Sequence, residues 1–426
     1  MSPPVLQAPP SKSLTHRALL LAALSDAPSV VHNPGLGADN RSTLGALAAW
    51  GARFEIDERG PVPCVRFEPF EPRAPEAALD CGNSGTTLRF LLGQAARFPF
   101  ETTLTGDESL QTRPNGPLLA ALLDLGATVD SRDTRAPVTI RGPLLAGDMT
   151  LRGGLSSQFA SSLMLALALS RGPAALRLLP PIASRPYLDL TLAVADDFRL
   201  GFEVEDTSEG GLLVKIPGGR RPRGREYLVE GDWSGAAFPM VAAALVGEAV
   251  EVEGVTMESR QGDRAIVEFL RASGATIEAT EAGVRVSGRA HRSPGTLDVR
   301  ATPDLFPVLV ALAASVPGTT RIHGSPGLRH KECDRISAMA EAVSRMGGTI
   351  HELDDGAIVH GTPDSLAGTS VHSHDDHRIH MALSVLGLVA RGRTRVSNPE
   401  CVDVSYPRFH EDLAAIKAHA TNGGAR

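Results

Sequence analysis

Cysteine is scarce in this chain. Its 426 residues hold four, Cys64, Cys81, Cys333 and Cys401, with no CxxC pair. A disulfide framework or a cysteine-built zinc site is thereby excluded as the organising principle. Lysine is scarcer still for its class: of 42 basic residues only Lys12, Lys215, Lys331 and Lys417 are lysines. A genomic preference for arginine codons accounts for the total, but the positions of the few lysines carry information, because an ammonium gives up its proton far more readily than a guanidinium. No uninterrupted apolar run exceeds seven residues, as in Leu163 to Leu169, well below the 18 or so needed to cross a bilayer. The opening Met1-Ser2-Pro3-Pro4-Val5 has neither a basic region nor an apolar stretch behind it, so cytoplasmic residence is expected. Positive charge is not in excess either: 42 basic against 49 acidic residues give −7, which excludes a generally basic nucleic-acid binder. An apolar fraction of 42% with 21% charged residues suits a globular protein of two or three domains.

What the chain does have is a period. A helix-like stretch ending in glycine, followed by an alternating apolar stretch, recurs at Gly51, Gly126, Gly201, Gly274 and Gly347, at spacings of 75, 75, 73 and 73 residues. Each glycine suits the position just past a helix, where a positive φ is needed. A second short strand is expected after each, at Cys64–Phe67, Val138–Arg141, Leu213–Ile216, Val284–Ser287 and Ala357–His360. One further period reaches residue 420, after a helix-like stretch from Phe409 to Ala420. Six units of about 70 residues, grouped three and three, are the natural count. The Pro/Gly/Arg-rich segment from Pro217 to Arg225 is a candidate linker between the halves.

Several polar clusters stand at the starts of apolar helices. Pro10-Ser11-Lys12-Ser13-Leu14-Thr15-His16-Arg17 opens the helix from Ala18 to Leu24, with Ser13 as its expected cap. Free N–H groups there, with Lys12 and Arg17, suit a phosphate or carboxylate, although a plain capped helix with solvated charges explains the pattern equally well. Asp80-Cys81-Gly82-Asn83-Ser84-Gly85-Thr86-Thr87-Leu88-Arg89 lets backbone approach a ligand closely but lacks the Gly-Lys-Ser/Thr of a Walker loop. Thr112-Arg113-Pro114 and Ala183-Ser184-Arg185-Pro186-Tyr187 are weak alone, whereas Ser156-Ser157-Gln158-Phe159 carries more polar groups than capping needs. Asp304 falls in an expected first helical turn. Leu328-Arg329-His330-Lys331-Glu332-Cys333-Asp334-Arg335 sets a rare lysine beside a carboxylate, either as a surface ion-pair face or as proton-transfer equipment. His372-Ser373-His374-Asp375-Asp376-His377-Arg378 matches the HxHxDH pattern of dinuclear-zinc hydrolases. Fewer than 50 residues follow His380, too few for the remaining ligands of such a site, and Arg378 repels a metal; an anion site using His377 and Arg378 is the other reading.

In this order and together, these motifs resemble the enolpyruvyl transferase family, in its branch acting on shikimate 3-phosphate, from Ser11 to about Leu413. The resemblance implies an α/β fold, a two-domain inside-out α/β barrel in which each domain holds three βαβαββ repeats. It places residues 10–225 in the shikimate 3-phosphate domain and 226–426 with 1–9 in the second, the active site lying in the cleft between them. It implies transfer of the enolpyruvyl group of phosphoenolpyruvate to the 5-hydroxyl of shikimate 3-phosphate by addition and elimination, with release of phosphate. By the same resemblance no metal, organic cofactor, nucleic acid or membrane is expected to take part, and the enzyme is expected to be a monomer.

Carried over position by position, the family pattern puts shikimate 3-phosphate on Lys12, Ser13, Arg17, Ser156, Ser157, Gln158, Ser184, Asp304 and Lys331. Phosphoenolpyruvate is assigned to Lys12, Asn83, Gly85, Arg113, Gln158, Arg335, His377 and Arg378. Asp304 resembles the base that takes the 5-hydroxyl proton, and Glu332 the acid that protonates the methylene carbon, with Lys12 assisting. The chain departs from the pattern at Val404, where a lysine usually precedes the final Ser405-Tyr406-Pro407, and at Pro10, Phe90 and Gly327. Two rival readings are the sister branch acting on UDP-N-acetylglucosamine, which opens differently, and a metal-dependent hydrolase using residues 372–377.

Overall fold

The structure, a computed structural model, describes residues 3–60, 62–152, 154 and 156–423. Two compact units divide the chain: Lys12–Val229, and Met1–Ser11 with Glu230–Arg426. Each has its own apolar core. The sequence placed these boundaries at 9/10 and 225/226. In the structure the strand Glu226–Leu228 pairs in parallel with Ser29–His32 and so stays with the Lys12–Val229 unit. In exchange, Val5–Gln7 pairs in parallel with Val250–Glu253 in the other unit.

In the Lys12–Val229 unit three four-stranded sheets share one strand pattern. The second of them shows it plainly: Leu79–Asp80 runs parallel to Thr102–Thr105, which pairs antiparallel with Val138–Arg141, which pairs antiparallel with Thr128–Ser131. A helix follows each of the first two strands, giving βαβαββ. The other unit repeats this pattern twice, in the sheets built on Val250–Glu253 and Gly318–His323. Its third repeat differs among the described residues: Ser370–Val371 and Arg395–Val396 form a two-stranded sheet, and the chain continues into the helix Phe409–Gly423.

The five spaced glycines each take a positive φ, between 70° and 101°. The strands expected after them are present as Cys64–Glu68, Val138–Arg141, Leu212–Ile216, Gly283–Ser287 and Gly356–Gly361. The period therefore reports a local requirement: a left-handed residue ends the helix so that a hairpin can begin.

The first helix of each repeat is buried almost all round. Lys12–Ala23, Gly85–Ala95 and Ser157–Leu169 do this in one unit, and Trp233–Val246, Phe306–Ala314 and His377–Leu386 in the other. Such helices read as continuous apolar runs because no face meets water. Their approach is close: a side chain at Gly93 would bring a Cβ to 2.8 Å from the carbonyl oxygen of Ser162. The polar motifs stand at the starts of these helices, and the buried polar residues further in, such as Arg17, Ser161 and Ser162, are hydrogen-bonded to protein partners.

Candidate active site

In the Lys12–Val229 unit, three buried helices begin near one another. Lys12 opens the first. Its ammonium pairs with Asp39 Oδ2 at 2.9 Å, both side chains being largely buried. Ser13, expected to cap this helix, lies inside its first turn: the helix starts at Lys12, because Ser11 N–H donates to Glu230 O and fixes extended chain up to that point. Arg17 is buried and directs its nitrogens to Ser13 O at 2.7 Å, Tyr187 O at 2.8 Å and Thr191 Oγ1 at 2.8 Å. Burial lowers its pKa to about 10, against the opposing effect of Tyr187 and Tyr227. Arg17 thereby ties the turn carrying Ser184 to the first helix. Ser184 itself takes a left-handed φ of 52° and makes no capping hydrogen bond.

Ser84 caps the second helix, accepting from Thr87 N–H at 3.1 Å. Gly85 begins this helix, and a Cβ there would stand 3.4 Å from Arg113 Nη1, so glycine keeps the space before the guanidinium open. Arg113 donates to Asn83 Oδ1, and Asn83 Nδ2 donates to Asp107 Oδ2 at 2.6 Å, so Asn83 orders the loop. Arg113 Nε is buried with no partner among the described residues. The third helix is capped by Ser156, which accepts from Gln158 N–H at 3.2 Å. Gln158 then bridges two helices: its Oε1 accepts from Arg89 Nη1 at 2.6 Å and its Nε2 donates to Thr86 Oγ1 at 2.9 Å. Ser157 is buried beside it.

Beneath Lys12 a hydroxyl chain joins the first two helices. His16 Nδ1 lies 2.8 Å from Thr43 Oγ1, Thr43 Oγ1 2.7 Å from Thr87 Oγ1, and Thr87 Oγ1 2.8 Å from Ser84 Oγ. Burial, then Lys12 and Arg17, holds His16 well below the ordinary imidazole pKa, so it stays neutral. The lysine thus keeps its place next to a neutral ring.

In the other unit the anchor is Arg335, only 1% exposed. Its Nε donates to Asp376 Oδ2 at 2.7 Å, Nη1 to Asp304 Oδ1 at 2.9 Å and Nη2 to Glu332 Oε2 at 2.8 Å. Burial by itself would lower its pKa; Asp376, Glu332 and Asp304 outweigh this and hold it well above the ordinary value. Lys331 Nζ reaches Asp304 Oδ1 at 3.2 Å, and Arg378 Nη2 reaches Asp304 Oδ2 at 3.3 Å. Asp304 therefore sits among three cations. Asp376, wholly buried, also caps the helix His377–Leu386, accepting from Arg378 N–H at 2.8 Å and Ile379 N–H at 3.3 Å. His377 is the first residue of that helix and is buried.

Sequence reasoning missed four contributors. Arg89 closed a quoted motif but was not selected; its position one helical turn after Gly85 was the available signal. Asp39 and Asp376 belong to the site through partners far along the chain. Asp263 carries no motif at all. It is buried, accepts from Ser234 Oγ, and is pushed up to about 7, first by burial and then by Asp304, against Arg378 and the Ser234 hydroxyl.

The HxHxDH stretch is not gathered on one point. Asp376 is committed to Arg335, Asp375 Oδ1 accepts from Asn398 Nδ2 at 2.6 Å, His374 lies 3.5 Å from Glu341, and His380 Nδ1 donates to Ser397 O at 2.9 Å. Among the described residues no three His, Cys, Asp or Glu side chains are grouped to hold a metal ion. Val404 ends a short 3₁₀ stretch, Pro399–Val404, and the following Tyr406 is buried with its hydroxyl donating to Asp412 Oδ2 at 2.8 Å. No helix among the described residues is long and apolar enough to cross a membrane.

Comparison with known proteins matches residues 4–413 to the family model described as EPSP synthase (3-phosphoshikimate 1-carboxyvinyltransferase). A 3-phosphoshikimate 1-carboxyvinyltransferase of Methanothrix thermoacetophila is 45% identical over 416 residues, covering 97% of this chain and 95% of that protein. One from Halobacterium salinarum is 43% identical over 422 residues, covering 97% and 96%. Among solved structures, an EPSP synthase from Acinetobacter baumannii is similar with a TM-score of 0.76 at 30% identity, covering 96% of this chain and 94% of that one.

Proposed function

The chain belongs to the EPSP synthase family, and from that premise we propose how its two units share the reaction. It is an enzyme of the shikimate pathway, transferring the enolpyruvyl group of phosphoenolpyruvate to the 5-hydroxyl of shikimate 3-phosphate and releasing phosphate. Neither transfer to UDP-N-acetylglucosamine nor metal-dependent hydrolysis is favoured.

We propose that the helix starts of the Lys12–Val229 unit supply the anion contacts. Lys12, Ser13, Arg17, Ser156, Ser157, Gln158 and Ser184 would hold shikimate 3-phosphate. Lys12, Asn83, Gly85, Arg113 and Gln158 would meet phosphoenolpyruvate, joined by Arg335, His377 and Arg378 from the other unit. The observation that carries the reading is the ring of Lys331, Arg335 and Arg378 around Asp304. A carboxylate so neutralised is a poor base. Two polyanionic substrates would draw these cations to themselves, and Asp304 would regain basicity only when they are bound. It would then take the proton of the 5-hydroxyl as the oxygen forms its bond to C2 of phosphoenolpyruvate. Glu332, presented by Arg335, would deliver a proton to the methylene carbon. Elimination would return a proton from that carbon to Glu332 as the C2–O bond to phosphate breaks, and the proton taken by Asp304 would leave with the phosphate, Lys12 standing beside the leaving group. Asp39 would hold Lys12 between turnovers. We take the enzyme to work as a monomer in the cytoplasm without a cofactor.

The test is phosphate release by the purified protein in the presence of a chelator. Release needing both substrates is expected. Glu332→Gln should bind shikimate 3-phosphate nearly as the parent does and turn over about 10²–10⁴-fold more slowly, the usual contribution of a positioned acid. Parent-like turnover would remove Glu332 from the mechanism.

A further inference from the structure

A concave site lies within the Glu230–Arg426 unit, built by residues the reaction does not use. Its volume is about 630 Å³, in the size range of small-molecule sites. Two helices face it. His377–Leu386 presents His380 and Ser384, one turn apart, with Gly387 and Leu388 just beyond its end. Phe409–Gly423 presents His410, Leu413, Ala414 and Lys417, the i, i+3, i+4, i+7 positions of a single face. The segment from Gly392 to Pro399 closes the site and brings Arg393, Thr394, Val396 and Pro399.

The chemistry of this lining is one-sided. Arg393, Lys417, His380 and His410 are all basic side chains, and no aspartate or glutamate is among the lining residues. Burial lowers the pKa of His380, against the Ser397 carbonyl and Glu400, which stands outside the lining, so the fixed positive charge of the site comes from Arg393 and Lys417. The two imidazoles meet edge to face, 5.2 Å between centroids. Each has one nitrogen next to a backbone carbonyl, His380 Nδ1 at 2.9 Å from Ser397 O and His410 Nε2 at 3.3 Å from Pro399 O. A carbonyl only accepts, so these nitrogens carry the protons and the rings are held in place. Thr394 Oγ1 is buried with no hydrogen-bond partner among the described residues. It is held against the helix end by Gly387, where a Cβ would come within 2.9 Å of Thr394 Cβ. An unmet hydroxyl is costly unless something arrives to pair with it. Leu388, Val396, Leu413 and Ala414 supply an apolar floor.

We propose that this is a binding site for a small carboxylate with a planar apolar body, an aromatic acid: the ring on the floor, the carboxylate between Arg393, Lys417 and the Thr394 hydroxyl. The proposal does not rest on the reaction assigned above. His380, three residues beyond the histidine-rich stretch, becomes a wall of this site.

Isothermal titration of the full chain tests it, using benzoate as probe, benzamide as the neutral isostere and inorganic phosphate as an anion with no apolar body. Benzoate is expected to bind at millimolar concentration or below, with benzamide and phosphate at least tenfold weaker. Arg393→Ala/Lys417→Ala, made at two exposed positions, should weaken benzoate at least fivefold while thermal midpoint and turnover stay at parent values. Thr394→Val should weaken it about threefold. Benzamide binding as tightly as benzoate would overturn the carboxylate, and phosphate competing equally would overturn the apolar body. Unchanged benzoate affinity in the double variant would place benzoate elsewhere and overturn the site.

Discussion

Asp376→Asn isolates one buried charge. Asp376 has no exposed surface and performs two tasks, holding Arg335 by two hydrogen bonds and capping the helix His377–Leu386 by two more. Asparagine caps about as well as aspartate, so the helix start should survive. What is lost is the ion pair, and an amide N–H₂ turned towards Arg335 sets donor against donor. Removing one partner of a buried pair costs about 3–5 kcal/mol. Arg335 retains Glu332 at 2.8 Å and Asp304 at 2.9 Å, so the cost falls at or below the lower figure; we expect about 2–3 kcal/mol. Urea unfolding followed by circular dichroism should show a midpoint lower by about 0.7–3 M, for slopes of about 1–3 kcal/mol per M. Arg335, freed on one side, would lean towards Asp304 and Glu332, misplacing both proton-transfer groups. If the whole penalty reaches the transition state, kcat/KM falls about 30- to 150-fold. An unchanged midpoint together with kcat/KM within twofold of the parent would refute the claim that Asp376 positions Arg335.

Lys12→Arg keeps the charge beside Asp39 but replaces an ammonium with a guanidinium that stays protonated; shikimate 3-phosphate binding should persist and kcat fall at least about tenfold in a steady-state assay. Asp263 has its pKa raised in the folded state, so its contribution to stability is present at low pH and lost as pH rises from about 4 to about 7. Asp263→Asn cannot ionise, so its stability relative to the parent should rise across that window in paired denaturation curves, and a flat difference would show that Asp263 ionises as freely folded as unfolded. Gly201→Ala faces only Arg220 Nη1 at 3.7 Å, so crowding is absent and the φ of +70° alone should cost about 1–2 kcal/mol by thermal unfolding.

Much of the fold could be read from residue order because its signals are local. A positive φ after a helix demands glycine wherever it occurs, so Gly51, Gly126, Gly201, Gly274 and Gly347 mark the repeat without knowledge of the remainder of the chain. The same holds for Ser84 and Ser156, whose hydroxyls serve N–H groups two or three residues on, and for Asp304 and Arg335, whose positions at helix starts follow from the surrounding apolar runs. The helix expected to be capped by Ser13 starts one residue before it, at Lys12, because its start depends on Glu230, more than two hundred residues away.

The partners themselves were not legible. Asp376 lies 41 residues beyond Arg335, and Asp39 lies 27 beyond Lys12. Nothing in either spacing distinguishes a buried counter-ion from a solvated carboxylate. The HxHxDH stretch shows the converse: of its six suggestive residues, Asp376 meets Arg335, Asp375 meets Asn398 and His374 meets Glu341, three different directions. The exchange of Val5–Gln7 and Glu226–Leu228 between units is of the same kind, since a three-residue strand has no period of its own and takes whichever edge the folded sheets leave open. Backbone conformation and helix starts depend on neighbours a few residues apart, and so are written in order along the chain. Which charge meets which depends on segments brought together only when the repeats close on their cores, and desolvation then decides whether a carboxylate is a cap, a counter-ion or a base.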